Sequence, residues 1–358
     1  MMGPMIKRRD FLTSSAGVAS GIALGTGPVA AQAPAGAAPP QARREEPPPP
    51  VSSLDFRTKM RKALIAEPTE DDLVRMKAAG FDGVEGRVIP VPQAAKLREA
   101  ADKLGMRIHS VLYGWAEFNS PDKAEAQRTF DESADALRTA QAFGADAVLL
   151  VPCRISGGGR RPGAITKGPV LRMPRPWEFQ IECDPANGHF SKVVHGDNAP
   201  YADYIKAHNH ATDASREWVS RLIPVAEKTG VVIALENVSN NLWVTPATFQ
   251  QFVASFRSPW VKAYYDIGNH VRFAPPEQWI LTLGDLLVKV HVKDYLLDPA
   301  DPDGRGRSVN IREGSVRWPV LRQALESIGY NGWMTIESNG DIPFEERNRR
   351  LDLILAGK

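Results

Sequence analysis

The chain has 358 residues, 43% hydrophobic and 24% charged, a composition that excludes disordered and fibrous classes and leaves ample length for a large core. Its net charge of +2 is accounted for by Lys7, Arg8, Arg9 and Asp10 alone. The remainder is near neutral and lacks the bulk field that gathers polyanions, so no nucleic-acid partner is expected.

Residues 1–33 read as a targeting segment. Lys7-Arg8-Arg9-Asp10-Phe11-Leu12 pairs two arginines with an aromatic and an aliphatic residue. A mildly apolar run from Ala16 to Leu24 follows, then Ala31-Gln32-Ala33 with small residues for a peptidase. The segment resembles a twin-arginine export signal, which implies a periplasmic or secreted protein. The apolar run is too short and weak for a membrane span, so no stable membrane insertion is expected. Residues 34–56 form a Pro/Ala-rich linker containing Pro47-Pro48-Pro49-Pro50.

From residue 57 onward, short apolar runs alternate with amphipathic stretches. The strands are Met60–Ile65, Phe81–Val84 ending at Glu85, Met106–Val111 carrying His109, and Ala147–Val151 stopped by Pro152. Val231–Leu235, Val261–Tyr265, Leu287–Val290 and Trp333–Ile336 complete the set. Helices are predicted over Glu70–Ala79, Pro92–Leu104, Asp122–Phe143 and Tyr204–Thr229, the last broken near Pro224. Further helices start at Pro246, Pro276, Trp318 and Phe344. Eight strand–helix units in about 300 residues predict one (β/α)8 TIM barrel over 57–358. The rival, an open doubly wound sheet, normally has a Gly-rich turn after strand one, and Ile65-Ala66-Glu67-Pro68 is not one.

Residues 154–203 interrupt the rhythm after strand four as a long Gly/Pro-rich insertion holding Gly157-Gly158-Gly159, Trp177, His189 and His195. A loop in that place is expected on the C-terminal face, over the barrel mouth. A second long loop, 295–316, holds Arg305, Arg307 and Arg312. The only cysteines, Cys153 and Cys183, offer either one bridge or two separate thiols. His208 and His210 read as a solvated helix face.

Strands five to eight run into Glu236, Asp266, His291 and Glu337. Strand ends converge on one mouth in such a barrel, so three carboxylates and one imidazole from adjacent units can surround one divalent ion. Three oxygen donors and no sulfur favour Mn²⁺, with Zn²⁺, Mg²⁺ or Co²⁺ as alternatives. Glu85, His109 and Lys293 stand at or near strand ends, and Trp115 follows strand three. Each is a candidate substrate contact, and each has an alternative in packing, capping or an ion pair. The same holds for Trp177 and Trp243.

The chain resembles the sugar phosphate isomerase/epimerase family, the xylose isomerase-like TIM barrels. The resemblance rests on Leu235-Glu236-Asn237, Asp266-Ile267-Gly268-Asn269-His270, His291-Val292-Lys293-Asp294, Glu313-Gly314-Ser315-Val316-Arg317-Trp318 and Gly329-Tyr330-Asn331-Gly332-Trp333-Met334-Thr335-Ile336-Glu337. Gly80-Phe81-Asp82-Gly83-Val84-Glu85 is also family-like. It implies that Glu236, Asp266, His291 and Glu337 bind Mn²⁺ or a similar ion, and that Glu236 and Glu337 are the acid–base pair. Where many epimerases have His three residues after the Asp ligand, this chain has Asn269, with His270 next, and both are candidate substrate contacts. Leu297 stands where ketose epimerases place a substrate-binding Arg.

Such a site lets a carboxylate take a proton from the carbon beside a polarised carbonyl. Returning the proton isomerises or epimerises a sugar, and loss of a β-substituent gives elimination. The leading expectation is therefore a metal-dependent sugar isomerase or epimerase acting on an unphosphorylated sugar or keto-sugar, since sugar phosphates are rare outside the cytoplasm. Alternatives are a 3-keto-glycoside lyase and, from another class, a non-catalytic sugar-binding barrel. An endonuclease would need more His ligands and a basic face. A homo-oligomer is compatible with the sequence.

Overall fold

The computed structural model describes residues 56–155, 170–337 and 342–358. The export segment, nearly all of the linker and the Gly157-Gly158-Gly159 run lie outside them. Eight parallel strands close into a barrel: β1 (Arg61–Ile65), β2 (Gly83–Arg87), β3 (Arg107–Trp115), β4 (Ala147–Val151), β5 (Val232–Glu236), β6 (Val261–Asp266), β7 (Leu287–Val292) and β8 (Trp333–Ile336). β8 pairs with β1, Arg61 opposite Trp333, so no barrel edge is left unpaired. Around it stand α1 (Glu70–Ala78), α2 (Val91–Lys103), α3 (Lys123–Phe143), α4 (Ala202–Thr229), α5 (Pro246–Ala254), α6 (Pro276–Leu283), α7 (Trp318–Ser327) and α8 (Phe344–Leu355).

Local chemistry sets the boundaries. Thr69 and Asp122 cap α1 and α3 by accepting from the amides of Asp72 and Ala124. Proline opens α5 and α6. Gly144 and Gly230, at φ 72° and 69°, end α3 and α4 in the left-handed conformation that suits glycine. β4 is buried along its whole length, as a strand covered on both faces must be. Its Val148 and Leu150 pack in the strand–helix layer, while Ala147, Leu149 and Val151 join Ala234 and Tyr264 in a separate cluster.

Two expectations are corrected here, the break in α4 and the solvated His208, and the open choice for the cysteines is decided. α4 runs through Pro224 without a break. An interior proline costs roughly 3 kcal/mol, but Leu222 and Ala226 on either side are fully buried, which opposes a break. Cys153 and Cys183 are both free thiols. Cys153 Sγ lies 3.1 Å from Ser215 Oγ, and Cys183 Sγ donates to Gln251 Oε1 at 3.1 Å. His208 is buried, although His210 is exposed.

The burial of His208 follows from the course of the insertion. Its short hairpin, Glu182–Cys183 with Phe190–Lys192, lies along α4 and α5 and not across the mouth. Asn209 clamps the Phe190 amide and carbonyl at 2.8 and 3.0 Å, and Phe190 stacks on His208 with ring centres 3.5 Å apart. His189 pairs with Asp213 at 2.8 Å. Among the described residues of the insertion, the stretch around Arg175–Phe179 reaches the loops that follow β6 and β7. There Phe179 meets Phe273 at 5.8 Å, and Trp177 lies against Gly304.

The loop after β7 is a hairpin, Asp294–Leu297 with Gly306–Val309. Asp294 accepts hydrogen bonds from the amides of Tyr295, Arg312, Gly314 and Val316, and from Trp318 Nε1. A Cβ on Gly314 would sit 2.1 Å from Asp294 Oδ1, so only glycine permits this approach. The Glu313–Trp318 motif is therefore a structural knot that pins the loop beside the barrel mouth. Among the described residues, no helix is long and apolar enough to cross a membrane.

Candidate metal centre and active site

Strand pairing builds the site. Asp266, the last residue of β6, is the register partner of His291 on β7. Glu236 ends β5 on one side, and Glu337 directly follows β8 on the other. One ligand atom from each of Glu236, Asp266, His291 and Glu337 lies within 4.8 Å of the others. His291 Nδ1 is 3.4 Å from both Glu236 Oε1 and Glu337 Oε2.

The surrounding groups aim these atoms inward. Asp266 Oδ1 accepts from the amides of Gly268 and Asn269 at 2.8 and 2.7 Å. Asn237 grips the Asp266 backbone at both amide and carbonyl, at 2.6 and 2.9 Å. That leaves Asp266 Oδ2 as the free oxygen. Asp266 Oδ2, His291 Nδ1 and Glu337 Oε2 are all buried without a hydrogen-bond partner. Buried polar atoms are normally satisfied, and here three orphans are all of ligand type and face one another. They fit a divalent cation, which would satisfy them together.

Electrostatics supports the fit. Burial, then Glu337 and Glu236 against the opposing charge of Lys293, pushes Asp266 well above the usual carboxylate range. Burial also raises Glu236, against the influence of His291. Burial works against the charged form of His291, but Glu85 first, then Glu236 and Glu337, hold it well above its ordinary value. Burial would raise Glu337 too, yet His291, Asp266 and Lys293 outweigh it and keep this carboxylate ionised. Lys293 Nζ donates to Glu337 Oε1 at 3.1 Å and Asn269 Oδ1 at 3.3 Å.

The candidate substrate contacts divide into two groups. Lys293, Asn269 and Trp115 are partly exposed beside the cluster or at the end of β3, and Trp115 carries the Arg154 guanidinium 3.8 Å above its ring. Glu85, His109 and His270 do not reach solvent. His109 stacks flat on Trp333 at 4.3 Å and bonds Thr335 Oγ1 through Nε2, inside the barrel. His270 Nε2 donates to the Val238 carbonyl at 3.1 Å, and burial lowers its pKa to about 3, so it is a neutral pin for the loop. Trp243 is buried, and Trp177 is exposed on the rim. Sequence reasoning missed Asn237 and Ser110 as supports, although Asn237 directly follows a candidate ligand.

The sequence matches the xylose isomerase-like TIM barrel family over residues 73–175 and 180–353. The chain belongs to this family. Among solved structures, a D-tagatose 3-epimerase-like protein is 17% identical with a TM-score of 0.60, covering 83% of this chain and 97% of its own. The 3-keto-D-glucoside 4-epimerase of E. coli is 14% identical with a TM-score of 0.58, covering 83% and 99%. These likenesses establish the fold that the xylose isomerase-like barrels share. An uncharacterized protein of Methanocaldococcus jannaschii is 25% identical over 185 residues, 48% of this chain, and the match spans 60% of that relative.

Proposed function

We propose that this barrel is a divalent-metal-dependent sugar isomerase or epimerase that moves a proton at the carbon beside a carbonyl. The observation that carries this reading is the convergence of Glu236 and Glu337, from either side of β6 and β7, on one cluster with Asp266 and His291. Binding alone does not need two such carboxylates, which weighs against a sugar-binding barrel without chemistry.

Glu236, Asp266, His291 and Glu337 would hold the ion, with Mn²⁺ preferred for its oxygen-rich donor set. Bound there, it would polarise the carbonyl and acidify the neighbouring C–H. Glu236 and Glu337 lie three strands apart, so they can approach a sugar from different sides. One removes the proton and the other delivers one. Lys293 adds its charge to the His291 and Asp266 contacts that keep Glu337 ionised, and presents N–H donors to substrate oxygens beside it. Asn269 and Trp115 line the remaining approach.

The twin-arginine segment supports an exported chain, hence an unphosphorylated sugar or keto-sugar as substrate. Similarity in fold to sugar epimerases supports the substrate class. A product profile from a panel of ketoses and 3-keto-glycosides with Mn²⁺ tests the reading. Conversion of a ketose to its epimer or isomer is expected. Release of an aglycone would identify elimination instead, and no turnover of any sugar would overturn an isomerase.

A further inference from the structure

We propose that Glu85 is the positioning residue of the metal centre: it fixes the imidazole of His291 so that Nδ1 presents its lone pair to the three carboxylates. Glu85 Oε2 lies 2.5 Å from His291 Nε2, and the side chains are 0% and 1% exposed. This places Glu85 behind the histidine, away from any substrate. Its other oxygen, Oε1, accepts from Ser110 Oγ at 2.8 Å. Ser110 is its register partner on β3, beside an irregularity in the pairing between Val84 and Glu85. The Tyr264 ring, 4.4 Å from that of His291, packs against the imidazole.

Glu85 on one side and Glu236 and Glu337 on the other compete for one imidazole proton. A neutral imidazole carries a single N–H and a single lone pair. On the Nδ1 side, Glu236 and Glu337 are acceptors at 3.4 Å, and an N–H aimed at them would close the lone pair to a cation. On the Nε2 side, Glu85 is an acceptor at 2.5 Å, well aligned and fixed by Ser110. When a cation displaces the Nδ1 proton, the shorter, buried contact with Glu85 keeps the remaining proton on Nε2 and leaves Nδ1 to the cation. Carboxylate partners behind metal-binding histidines set ligand orientation in this way. A fully buried carboxylate is costly unless hydrogen-bonded, and His291 is the one nitrogen donor that Glu85 meets among its side-chain contacts.

The inference depends on the proposed metal site, and the test separates the two. Divalent ion binding to the full chain is measured calorimetrically with Mn²⁺, and the visible absorption of Co²⁺ reports ligand geometry. Glu85→Ala is expected to weaken Mn²⁺ binding by about 10–100-fold and to alter the Co²⁺ spectrum. Glu85→Gln, whose amide oxygen still accepts from Nε2–H, should recover part of that loss. It also carries the test if the alanine variant does not fold, as judged by circular dichroism of the metal-free chain. In a His291→Ala background, Glu85→Gln should change affinity no further. Wild-type affinity and spectrum in the Glu85 variants would overturn the proposal, as would an equal loss in the His291→Ala background. Absence of any divalent ion binding by the wild-type chain would instead overturn the metal site on which it stands.

Discussion

Lys293 and Glu337 form the shorter of two lysine–carboxylate pairs described at the candidate metal cluster, with Nζ 3.1 Å from Oε1. Asp266 Oδ2 lies further off, at 3.9 Å from the same ammonium. The lysine sits two residues beyond His291 on the same face, so the strand that supplies the imidazole also supplies the positive charge. His291 and Asp266 do most to hold the Glu337 carboxyl down, and removing the Lys293 charge lets it rise part of the way toward the ordinary range. In Lys293→Met, the acid limb of the kcat/KM profile should move to higher pH by about one unit, and Lys293→Arg should restore most of the shift. An unmoved limb in Lys293→Met would remove Lys293 from this role.

Metal binding should release protons. Asp266 and Glu236 are raised chiefly by burial, and His291 by Glu85 and its other carboxylate neighbours against burial. Raised groups hold protons that a cation must displace, so affinity should fall as pH falls. Calorimetry at pH 7 in buffers of different ionisation enthalpy should give a buffer-dependent heat. A heat independent of buffer would contradict this linkage.

His208 should make the fold acid-sensitive. Burial lowers its pKa to about 3 from the model-peptide value near 6.5. The unfolded chain therefore binds a proton that the folded chain refuses, and stability is lost as pH falls from about 6.5 toward about 3. At pH 5 the loss from this residue is about 2 kcal/mol. Denaturant unfolding of the metal-free chain at pH 7 and pH 5 should show a smaller difference for His208→Gln than for the wild type. Equal differences would place the acid sensitivity elsewhere.

The two thiols should behave differently. Cys153 is fully buried, and burial pushes its thiol up to about 12. Cys183 is partly exposed. A thiol reagent should label at most one cysteine in the native chain and two after denaturation, without added reductant. No free thiol after denaturation would indicate a bridge between the two.

Much of the site was legible because it follows from period. Strand alternation placed Asp266 on the Tyr264 face and His291 on the Lys289 face, and barrel closure brought strands five to eight together. What the period does not give is depth along the barrel axis. Glu85 and His109 also stand on strands, but both are fully buried, Glu85 against His291 and its register partner Ser110, and His109 against Trp333 and Thr335. Pairing geometry of that kind arises only when the barrel closes. The course of the insertion's hairpin was equally hidden, because its anchors Asn209 and Asp213 on α4 and Gln251 on α5 are brought to it only by the packing of those helices. His208 looked solvated for the same reason: its cover, Phe190, comes from that hairpin.

The central claim, that Glu236 and Glu337 transfer a proton at the carbon beside a carbonyl, has a direct test in deuterium exchange. The Mn²⁺-loaded chain is incubated in D₂O with the ketose it converts, and label at that carbon is followed by NMR. The wild type should exchange the proton, and Glu236→Gln and Glu337→Gln, each with its metal content checked, should slow exchange by at least ~10²-fold. Exchange at the wild-type rate in both glutamine variants would contradict the account and leave these glutamates as ligands alone.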